Sequence, residues 1–445
     1  MKKALIAAAV AVAAAAGVVV AIVVSSGGEK KPAAAAPTGA SSSQPTTGGT
    51  GNDGTCAPTP TTTRSATDPV DTTSLRLPPP PGPNSARRRT LLVGVVDDAL
   101  AQRARSFAQA QVDLSRDAGF DAAIVSATWK RGQRRPPRNL LHALGNVASA
   151  AKRADMTLFV VVWHGLGGET PRTPSERADF AAYSAALVKA LPTVRDVIVG
   201  NEPNLGTFWT PQFGADGRDL AAVGYLDLLA RSYDAIKAAD SGVQVLGGAL
   251  APRGADRPRG SRPTHSPTAF IRDLGAAYRA SGRKRPLMDA FAFHPYMQAS
   301  QVSPTVPHPE NTSITLADYP KLVALLDEAF KGTAQPARLP IYYTEFGVQT
   351  SVPPPKLRFY SDQESPARSD SVGFGRQAAY YRQALALAYC QPTVRGIFVF
   401  HTFDESDLAG WQSGLYFADR TPKPSLPAFK RAVADLRNGK LSTCR

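Results

Sequence analysis

VRDVIVGNEPN (residues 194–204) and LPIYYTEFG (residues 339–347) share one pattern, a short apolar run that leads into a glutamate. A continuous apolar run of this length predicts a β-strand that is buried on both faces. Six more such runs lie between residues 91 and 400, and a helix-like segment follows each of the eight. Eight strand–helix units in about 350 residues predict an α/β fold, a (β/α)8 TIM barrel, over residues 89–445.

The bounds of these segments can be predicted from the apolar runs and their helical periodicity. The predicted strands are residues 91–96, 122–127, 156–162, 194–199, 243–250, 288–293, 340–343 and 394–400. The predicted helices are residues 99–118, 139–154, 175–190, 219–239, 267–280, 316–330, 373–389 and 425–436. An open doubly wound sheet is the alternative fold. It requires a glycine-rich nucleotide loop after the first strand, and VVDD (residues 95–98) is not such a loop.

The N-terminal region predicts export. Lys2 and Lys3 precede an uncharged run at residues 4–24, so residues 1–26 are expected to form an apolar helix. That helix is either a cleaved signal peptide or a membrane anchor, and both alternatives stay open. Residues 27–88 are rich in Ser, Thr, Pro, Gly and Ala, which predicts a disordered linker. We therefore expect an extracellular or cell-surface protein.

The charge of the chain does not point to nucleic acid. The 445 residues carry a formal net charge of +15, but the basic residues are scattered. The densest run after residue 100, at residues 130–135, lacks the interleaved aromatic residues of a single-strand binder. We expect no nucleic-acid partner and a monomeric chain, with membrane contact only through the N-terminal helix.

Polar and aromatic residues recur where the predicted strands end, which is where the active sites of such barrels lie. These residues are Trp163, His164, Asn201, Glu202, His294, Tyr296 and Glu345, with Trp411 in the loop after the eighth strand. Two facing carboxylates can cleave a glycosidic bond, one as acid and one as nucleophile. Amide, imidazole and phenol groups can bind sugar hydroxyls, and indole rings can stack on pyranose rings. This chemistry needs no cofactor and no metal.

NEP (residues 201–203) and TEFG (residues 344–347) lie after the fourth strand and at the end of the seventh. In these positions they resemble the motifs of clan A retaining glycoside hydrolases, which are (β/α)8 barrels. WHG (residues 163–165) and HPY (residues 294–296) are most similar to the cellulase-type glycoside hydrolase family 5. FHTF (residues 400–403) departs from that family, because no tryptophan directly ends strand eight.

The resemblance implies a retaining glycosidase with Glu202 as acid/base and Glu345 as nucleophile. Tyr296 would then donate a hydrogen bond to the nucleophile, and Asn201 would bind the sugar 2-hydroxyl. His164 and His294 would bind other hydroxyls, and Trp163 and Trp411 would form stacking platforms. The implied substrate is a β-linked oligo- or polysaccharide. Two alternatives stay open: a cell-surface transglycosylase that remodels glycans, and a barrel that binds carbohydrate without cleaving it.

The three cysteines do not form a metal-binding pattern, because the chain has no CxxC or Cys/His spacing. Cys390 ends the seventh predicted helix, and Cys444 follows the eighth. Helices of a barrel end on the same face, which favours a disulfide between Cys390 and Cys444 in an exported protein. Cys56 would then be a free thiol in the linker.

Overall fold

The computed structural model describes residues 65–78, 91–362, 370–441 and 444. The predicted N-terminal helix at residues 1–26, Cys56 and most of the linker at residues 27–88 lie outside these ranges. Among the helices of the described ranges, none has both the length and the apolar character needed to cross a membrane.

Eight parallel strands form a closed barrel in chain order, and the first strand pairs with the eighth. The strands are β1 Leu92–Val96, β2 Ala122–Thr128, β3 Thr157–Trp163, β4 Asp196–Val199, β5 Gln244–Leu250, β6 Ala290–Phe293, β7 Ile341–Phe346 and β8 Val394–Phe400. The helices are α1 Arg105–Ala118, α2 Arg138–Arg153, α3 Pro174–Ala190, α4 Leu220–Ala239, α5 Pro267–Ala280, α6 Tyr319–Phe330, α7 Phe374–Cys390 and α8 Leu426–Arg437. The predicted TIM barrel is confirmed.

Most observed bounds lie within two residues of the predicted ones, and two of the larger differences bear on the site. Strand β7 runs on to Phe346, so Glu345 lies within the strand and not after it. Helix α1 begins at Arg105 instead of Ala99, because the Asp97 side chain accepts a hydrogen bond from the Ala99 N–H and caps a separate 3-10 turn. Both differences concern the C-terminal end of a strand, where side-chain contacts decide the local backbone.

Large aromatic side chains fill the inside of the barrel. The ring of Phe159 on β3 packs against Tyr342 at 5.5 Å and against Phe398 at 5.1 Å between centroids. Phe398 fits there because its partner on the adjacent strand β1 is Gly94, where a Cβ atom would collide with the phenyl ring. A packed interior restricts ligand access to the mouth formed by the strand ends and their loops.

Part of the predicted disordered linker is ordered on the barrel. Val70, Leu75 and Leu77 are partly buried against the hydrophobic core. Arg272 of α5 donates hydrogen bonds from Nη1 to the backbone carbonyls of Ala66, at 3.0 Å, and Asp68. The average composition of residues 27–88 concealed these apolar side chains, and residues 66–78 of that segment contact the barrel.

The C-terminus is tied to α7. Cys390, the last residue of α7, and Cys444 form a disulfide with 5.3 Å between their Cα atoms. The bridge closes a loop of 54 residues that contains β8 and α8. The final helix is therefore covalently attached to the barrel.

Candidate active site

The backbone around Glu202 is held in an unusual conformation. Glu202 has a φ of 41°, in the left-handed region that non-glycine residues rarely adopt. Its N–H donates to the carbonyl of Ala249 at 2.8 Å, and Ala249 itself has a φ of 48°. Residues in such conformations cost about 1–3 kcal/mol each, persist where surrounding structure fixes them, and concentrate at functional sites. Here they aim the Glu202 carboxylate into the barrel mouth.

Glu345 faces this carboxylate from β7. The Tyr296 hydroxyl donates a hydrogen bond to Glu345 Oε2 at 3.1 Å. Burial raises the pKa of Glu345, the positive charge of His294 opposes this effect, and the negative charge of Glu202 adds to it. The pKa of Glu345 is raised overall, so the carboxylate ionises at a higher pH than an exposed glutamate.

His294 connects the two carboxylates. Its Nδ1 lies 3.0 Å from Glu202 Oε1 and 3.6 Å from Glu345 Oε2. One ligand atom from each of these three side chains lies within 4.8 Å of the others. Burial lowers the pKa of His294, but the charges of Glu345 and Glu202 raise it more, so the net pKa is raised. His294, expected to bind sugar, thus contacts both glutamates directly.

Several polar atoms of the mouth have no hydrogen-bond partner in the described part of the chain. Glu202 Oε2 is buried, and it accepts no hydrogen bond from any described residue. Trp163 Nε1 and His164 Nδ1 are likewise buried without a hydrogen-bond partner among the described residues. Burial lowers the pKa of His164 to about 4, so the ring is neutral at neutral pH. Buried polar atoms are usually hydrogen-bonded, so these atoms mark positions that a polar ligand can satisfy.

Asn201 and Trp411 complete the predicted set. Asn201 is half-buried beside Glu202. Trp411 is 7% exposed, and its ring lies 5.2 Å from Tyr296 and 5.5 Å from Phe400. Direct contacts therefore join five of the eight predicted residues, namely Glu202, His294, Tyr296, Glu345 and Trp411. Trp163, His164 and Asn201 lie at or just after the C-terminal ends of β3 and β4. Trp411 packs on the tyrosine that contacts Glu345.

The loop that carries Trp411 is held by a buried ion pair. Lys423 Nζ lies 2.6 Å from Asp404 Oδ1, and both side chains are fully buried. Lys423 also donates to the carbonyl of Gln412 at 2.9 Å, and Tyr360 donates to Asp404 Oδ2 at 2.9 Å. The pair fixes the two ends of the segment that surrounds Trp411.

Two cationic residues of the site were given no role in the sequence analysis. Arg253 follows β5, and its Nη1 donates to the Tyr296 carbonyl at 3.1 Å. Burial lowers the pKa of Arg253, and the nearby Glu202 charge raises it. His401 follows β8; burial lowers its pKa, but its hydrogen bond with Glu405 and the charge of Asp97 raise it, to about 9 overall. The position after a strand was the only available signal for either residue.

No protein-family model matches this chain, and no curated protein matches its sequence. Solved structures do match. A GH5_18 protein from Streptomyces cattleya, in complex with Manb1-4GlcNAc, is 17% identical with a TM-score of 0.52, over 78% of this chain and 81% of that one. A structure named beta-glucosidase 1317 is 16% identical with a TM-score of 0.51, over 78% of this chain and 98% of the other.

A larger protein also aligns. Bacteroides uniformis beta-glucuronidase is 14% identical with a TM-score of 0.49, over 77% of this chain but only 35% of its own. This chain thus spans about a third of the length of that protein. At these identities, the two matches above a TM-score of 0.5 show that the chain has the barrel fold of known glycosidases.

Proposed function

We propose that this protein is a retaining glycosidase that hydrolyses O-glycosidic bonds of a β-linked oligo- or polysaccharide by double displacement. One observation carries the proposal: Glu202 and Glu345 extend from β4 and β7 with carboxylate oxygens within 4.8 Å of each other. Retaining glycosidases keep their two carboxyl groups about 5–5.5 Å apart, whereas inverting enzymes need about 6.5–9.5 Å for a water molecule between them. The short separation therefore supports retention.

In the first step, Glu345 Oε attacks the anomeric carbon as a carboxylate and forms a glycosyl–enzyme ester. Glu202 gives its proton to the glycosidic oxygen, and the leaving sugar departs as an alcohol. In the second step, Glu202 takes a proton from water, and the resulting hydroxide displaces Glu345 from the anomeric carbon. Tyr296 orients the nucleophile through its 3.1 Å hydrogen bond. His294 contacts both glutamates, so its pKa changes with the charge that each of them carries during the two steps.

The unpartnered atoms of the mouth are proposed to bind the sugar. Asn201 is positioned beside Glu202 to contact the 2-hydroxyl, and His164 and Trp163 offer ring nitrogens to other hydroxyls. Trp411 supports Tyr296 and presents what remains of its ring surface to the substrate. The long loops at residues 298–315 and 348–371 are proposed to form the walls of the cleft, although residues 363–369 lie outside the described ranges.

The protein is proposed to act outside the cytoplasm, through a cleaved signal peptide or an uncleaved anchor at residues 1–26. The disulfide between Cys390 and Cys444 supports this location, because stable disulfides belong to oxidising compartments. A monomeric enzyme on a tether is consistent with this proposal.

The test is hydrolysis of a panel of aryl β-glycosides and polysaccharides by the full chain. Glu345→Ala should abolish turnover, and azide should partly restore it with inverted anomeric configuration of the product. Glu202→Ala should retain activity only on aryl glycosides whose leaving groups need no proton. Asp327→Ala removes an exposed carboxylate on α6, away from the strand ends, and is the matched control that should act like the wild type.

Each alternative predicts a different result. Longer products when acceptor sugar is added would favour a transglycosylase with the same two glutamates. Glycan binding without turnover on the whole panel would favour a non-catalytic barrel. Equal activity of Glu345→Ala and the wild type would refute the assignment of the nucleophile.

A further inference from the structure

A second group of ionisable side chains lies outside the barrel mouth. Asp219 caps the start of α4, His265 ends the loop after β5, and Asp273 lies on α5. One nitrogen of the histidine and one oxygen of each aspartate lie within 4.8 Å of one another. His265 Nε2 is 3.3 Å from Asp219 Oδ1 and 3.1 Å from the carbonyl oxygen of Gln212.

The group is buried and only partly satisfied. The side chains of Asp219 and His265 are 2% and 3% exposed. Asp219 Oδ1 accepts from the Ala222 N–H at 2.7 Å, but Oδ2 is buried without a hydrogen-bond partner among the described residues. Leaving a buried carboxylate oxygen without a partner is costly, and native proteins rarely do so without a ligand or water.

The surroundings of the group are rich in carboxylates. Among the described residues, no lysine or arginine forms an ion pair with Asp219. Burial raises the pKa of Asp273 to about 6, and the charge of the neighbouring Arg272 opposes this rise. Asp256, close enough to act on all three members electrostatically, adds a further carboxylate. A compact external cation would satisfy Oδ2 and the charges together.

We propose that Asp219, His265 and Asp273 bind a divalent transition-metal cation of the Zn²⁺ type. Zinc is bound by imidazole nitrogen and carboxylate oxygen at about 2.0–2.2 Å, usually with four ligands. Calcium and magnesium prefer sites made only of oxygen ligands, so the imidazole favours zinc over both. The Gln212 carbonyl or a water molecule supplies the fourth ligand.

The ion would brace the loop that carries Glu202. The backbone N–H of His265 donates to the backbone carbonyl of Asn204 at 2.8 Å, and the Asn204 side chain donates from Nδ2 to the His265 carbonyl at 3.0 Å. Asn204 stands two residues after Glu202. An ion bound to His265 would therefore restrain the backbone next to Glu202, the proposed acid/base, without contacting the reacting groups.

The test measures metal binding by the full chain, without reference to activity. After treatment with a chelator and gel filtration, the protein is titrated with ZnCl₂ and followed by calorimetry and elemental analysis. We expect about one Zn²⁺ per chain and a higher Tm with Zn²⁺ than with CaCl₂. His265→Gln and Asp273→Asn should weaken binding by at least about 100-fold, because even the loss of an outer contact costs about 10–100-fold.

Two controls locate the site. Glu345→Gln disrupts the other cluster capable of holding a metal and should leave Zn²⁺ binding unchanged. Asp216→Asn removes an exposed carboxylate near α4 and should also have no effect. Circular dichroism confirms that each variant is folded, and the visible spectrum of bound Co²⁺ reports the N/O ligand set in the wild type. Absence of Zn²⁺ binding by the wild type, or its loss in Glu345→Gln but not in His265→Gln, would overturn the proposal.

Discussion

Replacing Lys423 by methionine should destabilise the protein and disturb the active site together. The substitution keeps the length of the side chain but removes the ammonium group that Asp404 contacts at 2.6 Å. Asp404 then keeps only the hydrogen bonds from Tyr360 and from the backbone of Gly414. Removing one partner of a fully buried ion pair costs about 3–5 kcal/mol, because the other charge is left uncompensated.

The expected shift in Tm follows from the size of the barrel. An unfolding entropy of about 2.1 cal/mol/K per residue over about 350 residues gives about 0.7 kcal/mol/K, so Tm should fall by about 4–7 °C. Lys423→Met should also lower kcat/KM, because Lys423 holds the Gln412 carbonyl beside Trp411, which packs on Tyr296.

The assay is urea and thermal unfolding of four proteins: the wild type, Lys423→Met, Asp404→Asn and the double variant that carries both substitutions. The double variant should lose less stability than the sum of the single losses, since it leaves no lone buried charge. Lys430→Met is the matched control, because its ion pair with Asp117 is exposed and should contribute at most about 1 kcal/mol. A Lys423→Met protein as stable as this control would refute the reasoning.

Three further predictions concern the site and its support. Activity should fall as the pH drops through the raised pKa of Glu345. The hydrogen bond from Tyr296 lowers that pKa, so Tyr296→Phe should raise it and move the acid limb of kcat/KM to higher pH. An acid limb that does not move would contradict the assigned contact. Gly248→Ala should lower Tm, since its φ is 97° and a Cβ would lie 2.7 Å from a backbone carbonyl of β6, whereas Ala249→Gly should raise Tm by relieving a φ of 48°. Cys444→Ser should cost about 4 kcal/mol for a 54-residue loop, and its Tm should no longer respond to dithiothreitol, unlike that of the wild type.

The strand positions could be predicted because each strand is a continuous apolar run that the barrel buries on both faces. β8 and α5 have the predicted bounds, and both glutamates lie at the C-terminal ends of their predicted strands. The start of α1 was wrong because one side-chain cap, that of Asp97, interrupts a segment with good helical composition. Capping depends on a rotamer and a donor, which composition does not encode.

The sequence indicates which residues lie at the mouth better than it indicates which of them contact each other. Strand ends identify His294 as a site residue, but only the packed structure brings its Nδ1 to both glutamates. The cluster of Asp219, His265 and Asp273 has no sequence spacing to indicate it, since its members come from two helices and a loop. Such groups are assembled by the barrel and not by local sequence.

Residues 66–78 hold the chain against the flank of the barrel at α5. Because Arg272 binds Ala66 and Asp68, tension along the chain reaches the flank at α5 first, not the start of β1. Under tension, the hydrogen bonds of Arg272 would break and Leu75 and Leu77 would leave the core before any strand of the sheet is loaded. A protein truncated at residue 89 would expose this flank to water. The shortest fragment that keeps this flank covered therefore begins near residue 66, and residues 66–78 would detach under load before the barrel unfolds.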